Sequence, residues 1–287
     1  MKVDALKVKE ITDIPFLPIS TFKNHVLKSG EWEEEIIFES SGTTTSTPSK
    51  HYVKSVELYK KSFSRAFEKF YGNIEEYLVL ALLPSYLERK GSSLVLMVDE
   101  LIKKSAKKES GFFLHNHETL YSILNSLAKK QKKVLLIGVS FGLLDFVEKY
   151  QPQANPNLIV METGGMKGRR KEILRQELHQ LLQKGFSVDQ IHSEYGMTEL
   201  LSQAYSKGNG RFETPPWMKV LVRSQDDPLS YESNGRSGAL NIIDLANIYS
   251  MAFIQTDDLG KSYADGSFEV LGRFDKAAIR GCNLMVS

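Results

Sequence analysis

The sequence contains very little cysteine, since Cys282 is the only one among its 287 residues. A single cysteine excludes an intrachain disulfide, a CxxC redox pair and a zinc site built from several cysteines. Two interpretations of Cys282 remain: a small buried side chain, or a lone nucleophile.

Two other features are also missing, an excess of charge and a long apolar run. Lys and Arg number 37 against 35 Asp and Glu, a net charge of +2. Proteins that bind nucleic acid through its phosphates usually carry a larger basic surplus, so we expect no nucleic-acid partner. No run approaches the ~18 apolar residues of a membrane-spanning helix, and charges stand where a signal peptide has its apolar core. We therefore expect a cytoplasmic protein without a membrane span.

The common nucleotide-binding and metal-binding patterns are absent as well. Neither GxxxxGK[ST] nor GxGxxG occurs, so P-loop NTPases and Rossmann dehydrogenases lose their usual support. His115 and His117 flank Asn116 and could offer two metal ligands, but no second cluster accompanies them. A polar turn is therefore expected at this place.

The hydrophobic pattern that is present predicts an α/β fold in two regions. A hydrophobic content of 41% is ample for a core, and the length suits one large domain or two. Short apolar runs alternate with amphipathic helices up to residue 215, which indicates a parallel sheet. Residues 216–287 show short strands between turns, which predicts a β-rich subdomain. The expected strands are 77–83, 134–137, 158–161, 190–193, 218–222, 239–243, 251–255 and 267–271; the expected helices are 59–70, 143–150 and 170–184; and 93–98 fits either structure.

A GxSxG pattern covers Gly138 to Gly142, between an expected strand and an expected helix. This is the context of a nucleophilic serine, so a hydrolase or acyltransferase that uses Ser140 stays open as an alternative. The candidate bases are poorly placed for it, because His179 falls within an amphipathic helix and His192 on a strand. A tight turn that requires small residues explains the same pattern.

Four further segments carry groups suited to a nucleotide. Residues 40–50 form a loop rich in Ser, Thr and Gly, whose amides and hydroxyls can bind an anion before a helix. Residues 195–199, Tyr-Gly-Met-Thr-Glu, combine an aromatic ring, a glycine for close approach, a hydroxyl and a carboxylate that suits Mg²⁺. Residues 256–260, Thr-Asp-Asp-Leu-Gly, are placed at the end of a strand, where an aspartate can accept from both ribose hydroxyls. The fourth segment is 272–275, Gly-Arg-Phe-Asp.

In this order, the four segments resemble the motifs of the adenylate-forming (ANL) enzymes, which include acyl-CoA ligases, amino-acid-activating domains and luciferases. The resemblance runs from about residue 36 to the end of the chain. It implies the large N-terminal domain of that fold, with mixed and parallel sheets, flanking helices and a β-rich subdomain. Because the chain stops just after the hinge-like segment 272–275, we expect the small C-terminal domain to be absent.

The resemblance also implies residue roles in an enzyme that uses ATP and Mg²⁺. The triphosphate would lie on the loop 41–46 and Thr198, and Mg²⁺ on Glu199. Adenine would lie near Tyr195, Gly196 and the glycines after strand 158–161, and ribose at Asp258 with Arg273 nearby. The loop residues are Ser41, Gly42, Thr43, Thr44, Thr45 and Ser46, and the two glycines are Gly164 and Gly165.

Within this superfamily, the sequence most resembles the acyl-protein synthetases of bacterial bioluminescence fatty-acid reductase systems. The phrases that carry this similarity are residues 14–19, 48–51, 83–89 and 280–282. The resemblance implies that a carboxylic, fatty acid is activated as an acyl-adenylate and passed to the thiol of Cys282. It also implies a small-molecule carboxylate substrate and an acyl-reductase or acyl-acceptor protein as partner.

Two positions depart from the superfamily pattern. Thr45 and Asp257 stand where its members have glycine. A threonine that must adopt a positive φ would be strained. Together with the missing domain, these departures keep open a third interpretation, a non-catalytic relative that binds nucleotide.

Overall fold

The computed structural model describes residues 5–40, 47–83, 91–114, 116–165, 170, 173–227 and 229–273. Its strands are β1 (Leu17–Pro18), β2 (Ile36–Glu39), β3 (Lys50–Val53), β4 (Tyr77–Leu82), β5 (Gly111–Phe112), β6 (Lys133–Val139), β7 (Leu158–Thr163), β8 (His192–Tyr195), β9 (Ala204–Ser206), β10 (Arg211–Phe212), β11 (Met218–Arg223), β12 (Ser237–Asp244), β13 (Phe253–Ser262) and β14 (Phe268–Arg273). The helices are α1 (Thr21–Asn24), α2 (Val56–Tyr71), α3 (Ser93–Ser105), α4 (His117–Ala128), α5 (Ser140–Val147) and α6 (Arg175–Phe186), with short 3₁₀ turns at Ala5–Lys7, Ile11–Asp13, Ile74–Glu76 and Leu245–Asn247.

A mainly parallel sheet forms the centre of the first region. Its strand order is β5-β4-β6-β7-β8-β9, with only β9 antiparallel to its neighbour. Strands β4 and β6 are buried almost throughout, which explains why both are continuous apolar runs. Parallel pairing aligns Gly138 with Glu162 and Thr163 with Glu194, so β6, β7 and β8 end at one edge.

Helix α2 covers this sheet with an aromatic face. The hydroxyl of Ser55 caps its first turn by accepting from the amide of Leu58 at 3.2 Å. Its buried residues recur at helical spacing and include Tyr59, Phe63 and Phe67. Gly72 follows the helix at φ +83°, a conformation that favours glycine, and ends it as the sequence predicts.

A second, antiparallel sheet follows in the chain, with strand order β10-β14-β13-β12-β11. The N-terminal strand β1 joins it by pairing in parallel with β13. The two sheets meet where Tyr205 and Glu213 exchange backbone hydrogen bonds of 3.0 and 2.8 Å. β2 and β3 form a separate antiparallel hairpin that leads into α2.

Several boundaries differ from the sequence-based expectation. Residues 93–98, whose sequence fits either a strand or a helix, belong to helix α3. Helix α4 and strand β3 were not predicted. The helix expected from Arg170 begins at Arg175, because Arg170 instead donates to Asp145 and Glu148 at the end of α5. Asn116 caps α4 by accepting from the amide of Thr119, as a polar turn would. His115 lies outside the described residues.

Candidate functional site

The predicted site residues that the structure describes lie around the edge where the parallel strands end. Gly164 and Gly165 follow β7, and Tyr195 and Gly196 stand at the end of β8. Gly164 adopts φ +67°, which suits glycine, and Gly165 has open space where a side chain would stand. A side chain on Gly196 would come within 2.5 Å of a carboxylate oxygen of Glu194. A larger residue at position 196 would therefore have to displace the Glu194 carboxylate.

Tyr195 links the first sheet to the second. Its ring is 8% exposed and packs edge-on against Phe212 and Phe268, at centroid distances of 5.9 and 5.5 Å. Its hydroxyl donates to Oδ2 of Asp258 at 2.7 Å. Two predicted nucleotide-binding residues that are far apart in sequence therefore touch each other.

Asp258 lies in the middle of β13, so the expectation of a strand end is wrong. The ladder between β12 and β13 is irregular between Ala239 and Asn241, opposite this segment, because β13 carries extra residues there. A second register shift, between β13 and β14 at Leu259 and Gly260, places Asp258 opposite Arg273, whose Nε donates to Asp258 Oδ1 at 3.2 Å. The side chain of Arg273 is 75% exposed, so this ion pair is open to solvent on the arginine side.

Arg223, the last residue of β11, holds the irregular segment of β13 in place. No sequence motif marks this residue. Its guanidinium is buried and donates to the carbonyls of Leu240 and Thr256, at 3.1 and 2.9 Å, and to Asn241 Oδ1 at 3.0 Å. Burial lowers the pKa of Arg223 from its ordinary value. Through these three hydrogen bonds, Arg223 fixes the backbone of the segment that carries Asp258.

Thr198 and Glu199 contact the hairpin that follows the predicted phosphate loop. The carboxylate of Glu199 is 5% exposed, and burial raises its pKa although the Ser49 hydroxyl donates to it. The backbone oxygen of Thr198 lies 2.8 Å from Nδ1 of His51. Both flanks of the predicted loop meet as well, since the amide of Ser49 donates to the hydroxyl of Ser40 at 2.8 Å. Residues 41–46 themselves lie outside the described residues.

Two buried carboxyl groups, those of Glu162 and Glu194, lie on the neighbouring strands β7 and β8 near this edge of the sheet. Burial and the neighbouring Glu162 raise the pKa of Glu194 to about 7, although the Thr163 hydroxyl donates to it. For Glu162, burial acts in the same direction. Hydrogen bonds from His179 and Ser193 and the charge of Arg175 nevertheless hold its pKa below the usual value.

Ser140 of the GxSxG pattern belongs to the same buried cluster. It is 2% exposed, and its hydroxyl lies 3.3 Å from both Glu162 Oε2 and the carbonyl of Gly164. A catalytic serine of this type donates to a histidine that a carboxylate orients through its other nitrogen. In the part of the chain that is described, Ser140 instead fastens the turn after β6 to the end of β7.

The described residues contain neither a ready-made metal site nor a helix that could span a membrane. No three His, Cys, Asp or Glu side chains there come together as a metal site. A single carboxylate such as Glu199 still fits Mg²⁺, which commonly takes its other ligands from water and substrate phosphates. The described helices include none with the length and apolar character needed to cross a membrane. Cys282 lies outside the described residues.

Comparison with solved structures supports the fold. ATP-bound MatB from Rhodopseudomonas palustris matches with a TM-score of 0.61 at 16% identity, over 85% of this chain and 49% of that one. The AMP complex of O-succinylbenzoate coenzyme A synthetase from Bacillus subtilis matches with a TM-score of 0.52 at 18% identity, over 83% and 49%. These matches confirm the predicted fold, that of the large N-terminal domain of adenylate-forming enzymes.

Sequence comparison gives the family. The long-chain-fatty-acid–luciferin-component ligase of Aliivibrio fischeri is 27% identical over 187 residues, which cover 58% of this chain and 48% of that protein. The chain thus spans about half the length of this curated relative. The model of the family described as "Acyl-protein synthetase, LuxE" matches residues 1–287. The chain therefore belongs to the LuxE acyl-protein synthetase family.

Proposed function

We propose that the protein activates a carboxylic acid with ATP and transfers the acyl group to a cysteine thiol. A carboxylate oxygen of the substrate attacks the α-phosphorus, and pyrophosphate leaves. The sulfur of Cys282 then attacks the acyl carbonyl, AMP leaves, and a thioester results. Membership of the family supports the activity, and the printed name of the Aliivibrio fischeri relative supports a long-chain fatty acid as substrate.

One observation carries this proposal: residues from two other predicted motifs bind the carboxylate of Asp258. Asp258 accepts from Tyr195 at 2.7 Å and from Arg273 at 3.2 Å. Ser49 and His51, just after the predicted phosphate loop, meet Glu199 and Thr198. The four segments are spread along the chain, and their convergence supports one nucleotide site.

The roles follow from the chemistry of each group. The amides and hydroxyls of residues 41–46 and the hydroxyl of Thr198 bind the phosphates, and Glu199 holds Mg²⁺, which neutralises phosphate charge when bound. Gly164, Gly165 and Gly196 allow close approach on the adenine side, beside Tyr195. Asp258 retains free lone pairs on both oxygens, so it can accept from ribose hydroxyls while still paired with Arg273.

The first half-reaction is tested by ATP–pyrophosphate exchange with a panel of carboxylates from short acids to long-chain fatty acids. We expect exchange that requires Mg²⁺ and increases with chain length. A matched pair of variants is Asp258→Asn, which should lose exchange, and Asp265→Asn on an exposed turn, which should keep it. Absence of exchange with every carboxylate would refute the proposal.

The second half-reaction is tested separately with radiolabelled fatty acid. We expect acyl-protein that hydroxylamine releases, and no such label in Cys282→Ser, while exchange in that variant continues. A nucleophilic cysteine needs its thiolate form, and Arg280 is the neighbouring cation in sequence. Undiminished label in Cys282→Ser would remove this residue from the mechanism. A fatty-acyl reductase is the partner that would consume the thioester.

A further inference from the structure

The His51 side chain is wholly buried, on the strand that follows the predicted phosphate loop. It is 0% exposed in β3. The ring of Phe22 meets it edge-on at a centroid distance of 5.6 Å, and that of Phe38 at 6.4 Å. Because these two rings fix the imidazole plane, its nitrogens can reach only the partners that face them.

One nitrogen contacts the segment that carries Thr198 and Glu199, and the other contacts Asn247, which binds the same segment. Nδ1 lies 2.8 Å from the carbonyl oxygen of Thr198, and Nε2 lies 2.9 Å from Oδ1 of Asn247. Asn247 is itself fully buried, and its amide donates to the carbonyl oxygen of Glu199 at 2.7 Å. One imidazole–amide pair therefore holds two successive carbonyls of the motif.

The hydrogen positions follow from the partners. The Thr198 carbonyl can only accept, so that contact needs a proton on Nδ1. The amide nitrogen of Asn247 is committed to Glu199, so its oxygen faces Nε2. A neutral imidazole has a single N–H. With that proton on Nδ1, the contact between Nε2 and Asn247 Oδ1 joins two acceptors and is not a hydrogen bond, so the bond to Thr198 is the one that connects His51 to the motif.

We propose that His51 is a positioning residue for nucleotide activation, which fixes the backbone of Thr198 and Glu199 through a hydrogen bond from Nδ1. This rests on the function proposed above, because the side chains being oriented are those assigned to phosphate and Mg²⁺. The hairpin contributes a second contact, from the Ser49 hydroxyl to the Glu199 carboxylate. Strand β3 and the residue before it thereby connect the end of the predicted phosphate loop to the proposed metal-binding carboxylate.

The test is ATP–pyrophosphate exchange by the whole protein, with circular dichroism and thermal unfolding on every variant. His51→Phe keeps an aromatic ring but no donor, and it should lower kcat by about 100-fold, as a small misplacement of reacting groups does. The KM for the carboxylate should stay within about twofold, since the groups that His51 orients are those assigned to phosphate and Mg²⁺. His51→Asn places an amide N–H near the position of Nδ1 and should retain exchange within about fivefold.

His192→Phe is the matched control. It also removes a hydrogen-bonded histidine, whose Nδ1 lies 3.1 Å from the Tyr71 hydroxyl, away from Thr198. It should keep exchange within about twofold. If His51→Phe does not fold, His51→Asn is compared with His51→Gln, whose amide lies near Nε2 and should not rescue exchange.

The outcomes separate the two proposals. Exchange by the wild type with a large loss in His51→Phe and rescue in His51→Asn supports the positioning role. Full exchange in His51→Phe, or equal losses in the Asn and Gln variants, overturns it while the proposed function stands. No exchange by the wild type overturns the proposed function, and the positioning role with it.

Discussion

Replacing Glu194 by glutamine is expected to change how the stability of the protein depends on pH. The carboxyl is 8% exposed, and its pKa is raised from 4.5 to about 7, chiefly by burial. Glutamine has nearly the same shape and can still accept from the Thr163 hydroxyl, but it never ionises. The substitution therefore removes a buried charge and leaves the packing under Gly196 in place.

The sign and size follow from proton linkage. The unfolded chain releases the Glu194 proton near pH 4.5, whereas the folded protein keeps it to about pH 7. The folded state therefore loses stability relative to the unfolded chain as pH rises through this window. A pKa change from 4.5 to about 7 corresponds to about 3 kcal/mol at pH 8. Glu194→Gln should avoid this loss.

The assay is urea unfolding of both proteins at intervals between pH 4.5 and 8, read as the difference in unfolding free energy. Burial lowers the pKa values of His51 and His192 to about 4, so wild-type stability also falls below pH 6.5. That effect is common to both proteins and cancels in the difference. Glu68→Gln, on the exposed face of α2, is the control and should change stability by less than about 0.5 kcal/mol. A difference for Glu194→Gln that stays flat with pH would refute the reasoning.

Three further predictions concern the site. Arg223→Met should lower the unfolding free energy by about 1–3 kcal/mol in urea titrations, because the buried carbonyl of Thr256 loses its arginine donor and that of Leu240 keeps only the Thr256 hydroxyl; full stability would contradict the role given to this arginine. Asp258→Asn should weaken ATP binding by about tenfold or more in calorimetric titration, and unchanged affinity would exclude it from the ribose site. Ser140→Ala should leave exchange intact and cost about 1 kcal/mol of stability, whereas labelling of the wild type by a fluorophosphonate that this change abolishes would favour the hydrolase alternative.

The parallel sheet could be predicted from the sequence because its strands are buried on both faces. Strands β4, β6 and β7 are short runs of almost only apolar residues, and burial of nearly every position requires that composition. Helix α2 was predicted for a similar reason, since its aromatic residues recur on one face. These are local patterns that no distant part of the chain needs to complete.

The elements that were not predicted either depend on partners elsewhere in the chain or carry a helical pattern in a short segment. β3 reads Lys-His-Tyr-Val and is a strand because β2 pairs with it across the loop. Helix α4 did carry a signal, with Leu120, Leu124 and Leu127 on one face after the cap at Asn116. From the sequence, only a polar turn is predicted at its start.

The candidate site was predictable as motifs but not as geometry. The segments containing Tyr195 and Asp258 are recognisable separately, and nothing in the sequence says that their side chains touch. The place of Asp258 in mid-strand depends on an irregularity in pairing with β12 and on Arg223 beneath it. His51 had a weak signal, since it lies in a phrase shared with the acyl-protein synthetases. Arg223 had none, because a basic residue at the end of a strand is unremarkable.

The pairing of β1 with β13 has a consequence for folding during synthesis. Leu17 and Pro18 lie beside Ile254 and Gln255, and the amide of Ile19 donates to the carbonyl of Gln255 at 2.8 Å. The ribosome makes the first partner early and the second only after the whole first sheet has emerged. Strand β1 therefore remains unpaired until β13 has been translated. The strand that carries Asp258 reaches its native neighbours only at that late step, so we expect the proposed nucleotide site to be among the last parts of the protein to form.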